Sequence, residues 1–176
     1  MTVPSLTSSD KSAADGLRYL EARDRRQDRL AHTLSLAHRA TIFLSLNIPG
    51  GEKAPPGSKA LYHSMLGELS AAIPGVLVLE TACDLLGPYA LLAADGDALA
   101  LKRQCIALET RHPAARLVDL DVYAADGAPI GRAALALPAR ACLVCAEAAV
   151  DCMRVKRHEA CTVIAKAHEL LAQFRT

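Results

Sequence analysis

The run Leu117-Val118-Asp119-Leu120-Asp121-Val122 alternates apolar and acidic residues, and a period of two fits a strand with one buried face. On such a strand Val118, Leu120 and Val122 point to a core while Asp119 and Asp121 share the opposite face. Two neighbouring carboxylates repel unless something cationic sits between them. A hard divalent cation such as Mg²⁺ is one answer, since it takes carboxylate oxygen and brings phosphates with it. A solvated acidic strand face is the other reading of the same pattern.

The rest of the chain must cover that strand. Its 176 residues suit one domain with a genuine core. Hydrophobic residues reach 52% but aromatics only 3%, so the core is expected to consist of Leu, Val, Ile and Ala. A net charge of +1 argues against bulk nucleic-acid or anionic-membrane binding, which leaves any phosphate recognition to a local cluster of cations. No apolar run approaches the roughly 20 residues that span a bilayer, and the polar start from Met1 to Lys11 does not read as a signal peptide. Six cysteines in such a chain point to the cytoplasm, and to thiols or metal ligands more than disulfides.

Residues 1–13 read as a disordered lead-in and residues 14–176 as a single domain. A helix is expected over residues 16–38, with Leu20, Leu30, Leu34 and Ala37 as its apolar stripe. Arg23, Arg26 and Gln27 fall on or beside that stripe, and an inward guanidinium needs either a core carboxylate or a ligand phosphate. Residues 41–46 read as a strand running into Asn47-Ile48-Pro49-Gly50-Gly51. That tip either cradles a phosphate beside Lys53 or simply turns the chain.

Ser58 is expected to cap a helix with Leu61, Met65, Leu69 and Ile73 inward. Residues 76–81, apolar on both faces, and residues 89–93 read as strands. Asp97 caps a helix to about Arg111 with Lys102, Arg103 and Glu109 at its flanks. Asp126-Gly127 signals a hairpin between the Asp-x-Asp strand, residues 116–124, and a partner strand over residues 130–137.

Residues 138–176 change character. Cys142, Cys145, Cys152 and His158 form a Cys-x₂-Cys-x₆-Cys-x₅-His array. It is either a tetrahedral Zn²⁺ site, with Cys161 as a substitute fourth ligand, or a set of buried thiols beside a surface histidine. A closing helix to about Phe174 has Val163, Ile164, Ala167, Leu170 and Leu171 as its stripe.

The element order gives an α+β domain. Within it, Arg23-Asp24-Arg25-Arg26-Gln27, Asn47-Ile48-Pro49-Gly50 with Lys53, Gly87-Pro88, Leu101-Lys102, Glu109, His112-Pro113, Arg116 through Val122, Arg140-Ala141-Cys142-Leu143-Val144-Cys145, and Cys152-x-Arg154-x₃-His158 follow one another. This ordered set resembles the holo-citrate lyase synthases, the apo-citrate lyase phosphoribosyl-dephospho-CoA transferases, over nearly the whole chain. The resemblance implies a single domain with a mixed sheet flanked by helices, similar to polymerase-β-type nucleotidyltransferases, and a C-terminal cysteine-containing helical segment. It also implies transfer of phosphoribosyl-dephospho-CoA from 2′-(5″-triphosphoribosyl)-3′-dephospho-CoA to a serine of the citrate lyase acyl carrier (gamma) subunit, with release of pyrophosphate. Asp119 and Asp121 would then be catalytic and hold Mg²⁺, with Arg23, Arg26, Lys53, Lys102, Arg116 and Arg140 as phosphate binders. Structural ion pairs with Asp24 or Glu109 are the alternative for those cations.

The chain departs from the family pattern at Ala115, where glycine is usual, and at Tyr89, where an acid often follows Gly-Pro. A third metal carboxylate therefore stays open among Glu80, Asp84 and Asp126. Two other functions fit the residues: a holo-carrier synthase for malonate decarboxylase, and a non-enzymatic zinc-stabilised interaction domain.

Overall fold

Three apolar strands form the middle of a five-stranded sheet in the computed structural model, which describes residues 8–174. β1 (Ala40–Leu46) is central, between β3 (Gly87–Ala94) and β4 (Val118–Ala124). β2 (Leu77–Asp84) and β5 (Pro129–Ile130) form the edges, giving the order β2-β3-β1-β4-β5. All pairings are antiparallel, so the mixed sheet expected above is corrected. The reason is topological. β1 and β2 run parallel but β3 lies between them, and β3 and β4 run parallel but β1 lies between them, so among the described residues no parallel pair is hydrogen-bonded.

Alternation decides what each face touches. Ile42, Leu44, Leu92, Leu120 and Val122 point into one core together with α2 (Ser58–Ala72), α3 (Ala98–Glu109) and α5 (Ala160–Gln173). From those helices come Leu61, Met65, Leu69, Leu101, Leu108, Ala167 and Leu170. Cores of this kind gain about 25 cal/mol for each Å² of apolar surface removed from water. The opposite face, which carries Phe43, Ser45, Asp119 and Asp121, looks toward α1 (Ser8–Ser35) and is left partly open.

Several local expectations change. α1 begins at Ser8 rather than near Gly16, and the earlier part of the expected lead-in lies outside the described residues. It ends at Ser35, and Ala37 beyond it has φ 54°. Its buried stripe is Ala22, Arg26, Leu30 and Thr33, while Leu20 is 55% exposed. Gly57, not Ser58, is the N-cap of α2, and the Ser58 hydroxyl donates to the Pro55 carbonyl oxygen. β2 is apolar in sequence yet an exposed edge, with Leu77, Val78 and Leu79 all exposed. The partner strand expected over residues 130–137 stops at Ile130. A 3₁₀ turn, Arg132–Leu135, follows instead, and its Arg132 lines a hollow together with Asp119 and Asp121.

Gly87 shows why the β2–β3 hairpin needs glycine. Its φ is +93°, and a Cβ there would sit 2.9 Å from the Lys53 carbonyl oxygen. A short helix, α4 (Ala149–Arg154), lies within the cysteine segment. Among the described residues no helix is long and apolar enough to cross a membrane.

Candidate active site

β4 presents its two carboxylates where the antiparallel register sets Asp119 opposite Ser45 and Asp121 opposite Phe43 on β1. Val118, Leu120 and Val122 are buried between them, so the backbone cannot slip without exposing the core. Burial, then repulsion from Asp119, raises the Asp121 carboxyl from 3.8 to about 6, against the opposing pull of Lys102 and Arg140. The same burial, followed by the two carboxylates, raises the Tyr123 hydroxyl.

Cations and one further acid frame this pair. Arg140 Nη2 lies 2.8 Å from Glu109 Oε1 and 3.2 Å from Asp119 Oδ1, and its Nη1 donates to the Val118 carbonyl oxygen. Glu109, buried at the end of α3, also accepts from the Leu120 backbone N–H at 2.9 Å. Arg132 approaches Glu109 at 3.7 Å. Lys102, expected at a helix flank, is instead 5% exposed and donates from Nζ to the Leu120 carbonyl oxygen at 2.6 Å. Two buried residues of α3, about two turns apart, thus grip both backbone groups of Leu120 and fix the residue between the acids.

Three hollows meet here. One of about 240 Å³ is lined by Lys102, Glu109, Asp119, Asp121, Arg132 and Arg140. A second, about 440 Å³, runs under α1 past Arg23, Arg26, Gln27 and Phe43, and shares Asp121 with the first. The third, about 560 Å³ and mainly apolar, shares Arg140 and includes Arg116, Asn47, Pro49 and His158. The acid pair therefore lines the middle hollow, which Asp121 links to the second and Arg140 to the third.

The structure brings most, but not all, of the candidate cations to these hollows. Lys102 and Arg140 lie beside the acids, Arg23 and Arg26 border the second hollow, and Arg116 and Arg140 border the third. Arg26 is committed internally. It makes a two-pronged pair with Asp84 at 2.6 and 2.9 Å, donates to the Gly87 carbonyl oxygen, and lies 4.6 Å over the Tyr89 ring. Lys53 lines none of the three, and its Nζ donates to the Ile48 carbonyl oxygen at 2.7 Å. Burial and then the charge of Arg23 lower the Lys53 ammonium, which places those two cations near each other. Arg116 donates to the carbonyl oxygens of Ala141 and Cys142.

None of the three acids considered for a third carboxylate joins the pair. Asp84 holds Arg26, Glu80 holds Arg29 and accepts from the Tyr89 hydroxyl, and Asp126 accepts from Ala128 N–H within its turn. Glu109 is the acid that acts electrostatically on Asp121. Its helical position offered only a flank, and its inward role depends on how α3 packs on β4.

Cys142, Cys145, Cys152 and His158 do converge, with their ligating atoms all within 4.8 Å of one another, while Cys161 is exposed and outside the group.

Comparison with known proteins matches residues 17–174 to the family described as apo-citrate lyase phosphoribosyl-dephospho-CoA transferase. A probable apo-citrate lyase phosphoribosyl-dephospho-CoA transferase of Vibrio cholerae serotype O1 (strain M66-2) is 32% identical over 138 residues, covering 76% of this chain and 78% of the relative. The apo-citrate lyase phosphoribosyl-dephospho-CoA transferase of Citrobacter koseri is 32% identical over 156 residues, 86% of this chain and 85% of the relative. Its counterpart in Escherichia coli O139:H28 is 30% identical over the same shares.

Proposed function

The chain belongs to the apo-citrate lyase phosphoribosyl-dephospho-CoA transferase family, and on that premise we propose that the hollow at Asp119 and Asp121 is its active site. The protein is an enzyme, a transferase that moves phosphoribosyl-dephospho-CoA onto apo-citrate lyase. Our finer reading takes the acceptor as a serine of the acyl carrier (gamma) subunit and the donor as 2′-(5″-triphosphoribosyl)-3′-dephospho-CoA. The serine oxygen forms a bond to the α-phosphorus, the bond to the departing pyrophosphate breaks, and the serine proton is lost to water at the open sheet face. The nucleophile comes from the partner, so this chain works by positioning and charge neutralisation.

The observation that carries this reading is the pair of adjacent carboxylates on an open sheet face, with Asp121 partly buried and no hydrogen-bond donor reaching it among the described residues. Its two acids are a hard-oxygen donor set that fits Mg²⁺, which when bound would supply charge neutralisation to the triphosphate. Arg140 orients Asp119 through a 3.2 Å contact, and Glu109 orients Arg140. Arg23 and Lys53, close enough for their charges to interact, suit the polyanionic end of the donor. The apolar third hollow, bordered by Arg116, suits a CoA-like chain with its phosphates at one end.

We read the fold as polymerase-β-type nucleotidyltransferase-like because its two acids alternate on a sheet strand below a long helix. The citrate lyase carrier is favoured over that of malonate decarboxylase by the names of the relatives. We place the reaction in the cytoplasm, where thiols such as the six free cysteines stay reduced.

The test is the intact mass of purified citrate lyase gamma subunit after incubation with this protein, Mg²⁺ and the triphosphoribosyl donor. The wild-type chain is expected to add the mass of the prosthetic group, and an Asp119→Asn Asp121→Asn variant to add none. Equal transfer by the variant would refute the acid-pair site, and no transfer by either would refute the acceptor assignment.

A further inference from the structure

We propose that Cys142, Cys145, Cys152 and His158 bind one zinc ion, and that this ion locks the segment carrying Arg140 against the acid pair. The site stands on its own geometry and does not depend on the transferase reading.

The distances fit a four-coordinate ion. Cys145 Sγ lies 3.5 Å from Cys152 Sγ and 3.3 Å from His158 Nε2, with every ligand atom within 4.8 Å of the others. Zn–S bonds of about 2.3 Å and a Zn–N bond of about 2.1 Å put the edges of a tetrahedron at about 3.5–3.8 Å. A disulfide needs about 2.05 Å between two sulfurs and gives no reason for a third sulfur and an imidazole to face the same point. Thiolate and imidazole together select zinc over the hard cations suited to Asp119 and Asp121. The Val144 backbone N–H points to Cys142 Sγ at 3.5 Å, a contact that steadies a thiolate.

Packing supplies an independent argument. Over residues 138–159 the buried residues are Cys142 and Cys152, and both are ligands. Val150, Met153 and Val155 are 54%, 71% and 58% exposed, and α4 has only six residues. Such a stretch removes too little apolar surface from water to offset the entropy of ordering it. Outside α4 and the local turns around it, its backbone order rests on the Ala141–Ala148 bridge, Cys142 N–H to Glu147 O at 2.7 Å and Ala149 N–H to Arg140 O at 2.8 Å. A metal whose ligands come from 142 to 158 closes this loop, and its binding energy becomes folding energy.

The coupling follows from chain proximity. Arg140 is two residues before the first ligand, and its side chain spans Glu109 and Asp119. Arg116, next to β4, donates to the carbonyl oxygens of Ala141 and Cys142 and so ties the other side of the loop to the site. All four positions on the ion are filled by protein, which makes it structural rather than catalytic, with Arg140 as the positioning residue it serves.

The experiment uses the full chain purified without chelator. Elemental analysis is expected to find about one zinc per chain in wild type and in Cys161→Ser, and at least a tenfold loss in Cys145→Ser. Cobalt(II) exchanged into the wild-type protein is expected to give thiolate-to-metal charge-transfer bands with the strong visible absorption of a tetrahedral site, which keeps the test open if Cys145→Ser does not fold. Chelator-stripped wild type should be cleaved by protease at least about tenfold faster within residues 138–159 while its sheet signal persists. Substoichiometric zinc with no thiolate–cobalt band would overturn the site, as would a mass two hydrogens light from a Cys145–Cys152 disulfide. Unchanged cleavage after zinc removal would overturn the locking role.

Discussion

Replacing Asp121 with Asn should abolish transfer yet make the folded chain more stable above pH 6. Burial and the neighbouring Asp119 raise this carboxyl from 3.8 to about 6, so the folded state holds its proton more tightly than the unfolded chain does. Between those values the unfolded chain releases the proton first, and wild-type stability falls as pH rises. At about 1.4 kcal/mol for each tenfold difference, the penalty is about 0.6 kcal/mol at pH 4 and approaches about 3 kcal/mol at pH 8. Asn has the same shape without the charge, so it escapes a penalty that grows with pH. The assay is urea unfolding of both chains in metal-free buffer at pH 4, 5, 6 and 8, comparing midpoints at constant slope. The variant should match wild type within about 1 kcal/mol at pH 4 and exceed it by about 2–3 kcal/mol at pH 8. Added Mg²⁺ should then stabilise wild type and leave the variant unmoved. Equal stabilities at pH 8, or a less stable variant there, would show that water already satisfies Asp121 in the fold and would remove the electrostatic case for a cation at this pair.

Two further substitutions separate architecture from substrate binding. Arg26→Leu leaves Asp84 without its two-pronged partner and the Gly87 carbonyl oxygen without its donor, and should cost about 3 kcal/mol in urea unfolding; a change below about 0.5 kcal/mol would argue that Arg26 is available to ligand instead. Arg23→Gln and Lys53→Gln should each raise KM for the triphosphoribosyl donor about tenfold with kcat within about twofold, since each removes one charge that attracts a polyanion, and an unchanged KM in steady-state assays would take both residues out of the binding site.

Periodicity alone accounts for much of the fold. Alternation in β4 is a local property of the chain, and it placed Val118, Leu120 and Val122 in the core with Asp119 and Asp121 on the opposite face. The helical stripe of Leu61, Met65 and Leu69, the Asp97 cap and the spacing of Cys142, Cys145, Cys152 and His158 are local in the same sense. What stayed hidden depends on partners distant in sequence. Residues 76–81 carry enough apolar side chains for a central strand, yet β2 is an edge because its own hairpin partner β3 occupies the place beside β1. Glu109 and Lys102 have the pattern of a helix flank, and they turn inward because α3 packs where the backbone of Leu120 needs a donor and an acceptor. Arg26 could have faced a phosphate or a carboxylate, and the hairpin ending at Asp84 supplied the carboxylate. Burial patterns are written in neighbouring residues. The choice of which charge meets which partner is made only when strands and helices 11 to 58 residues apart come together, as Glu109 and Leu120 do across 11 and Arg26 and Asp84 across 58.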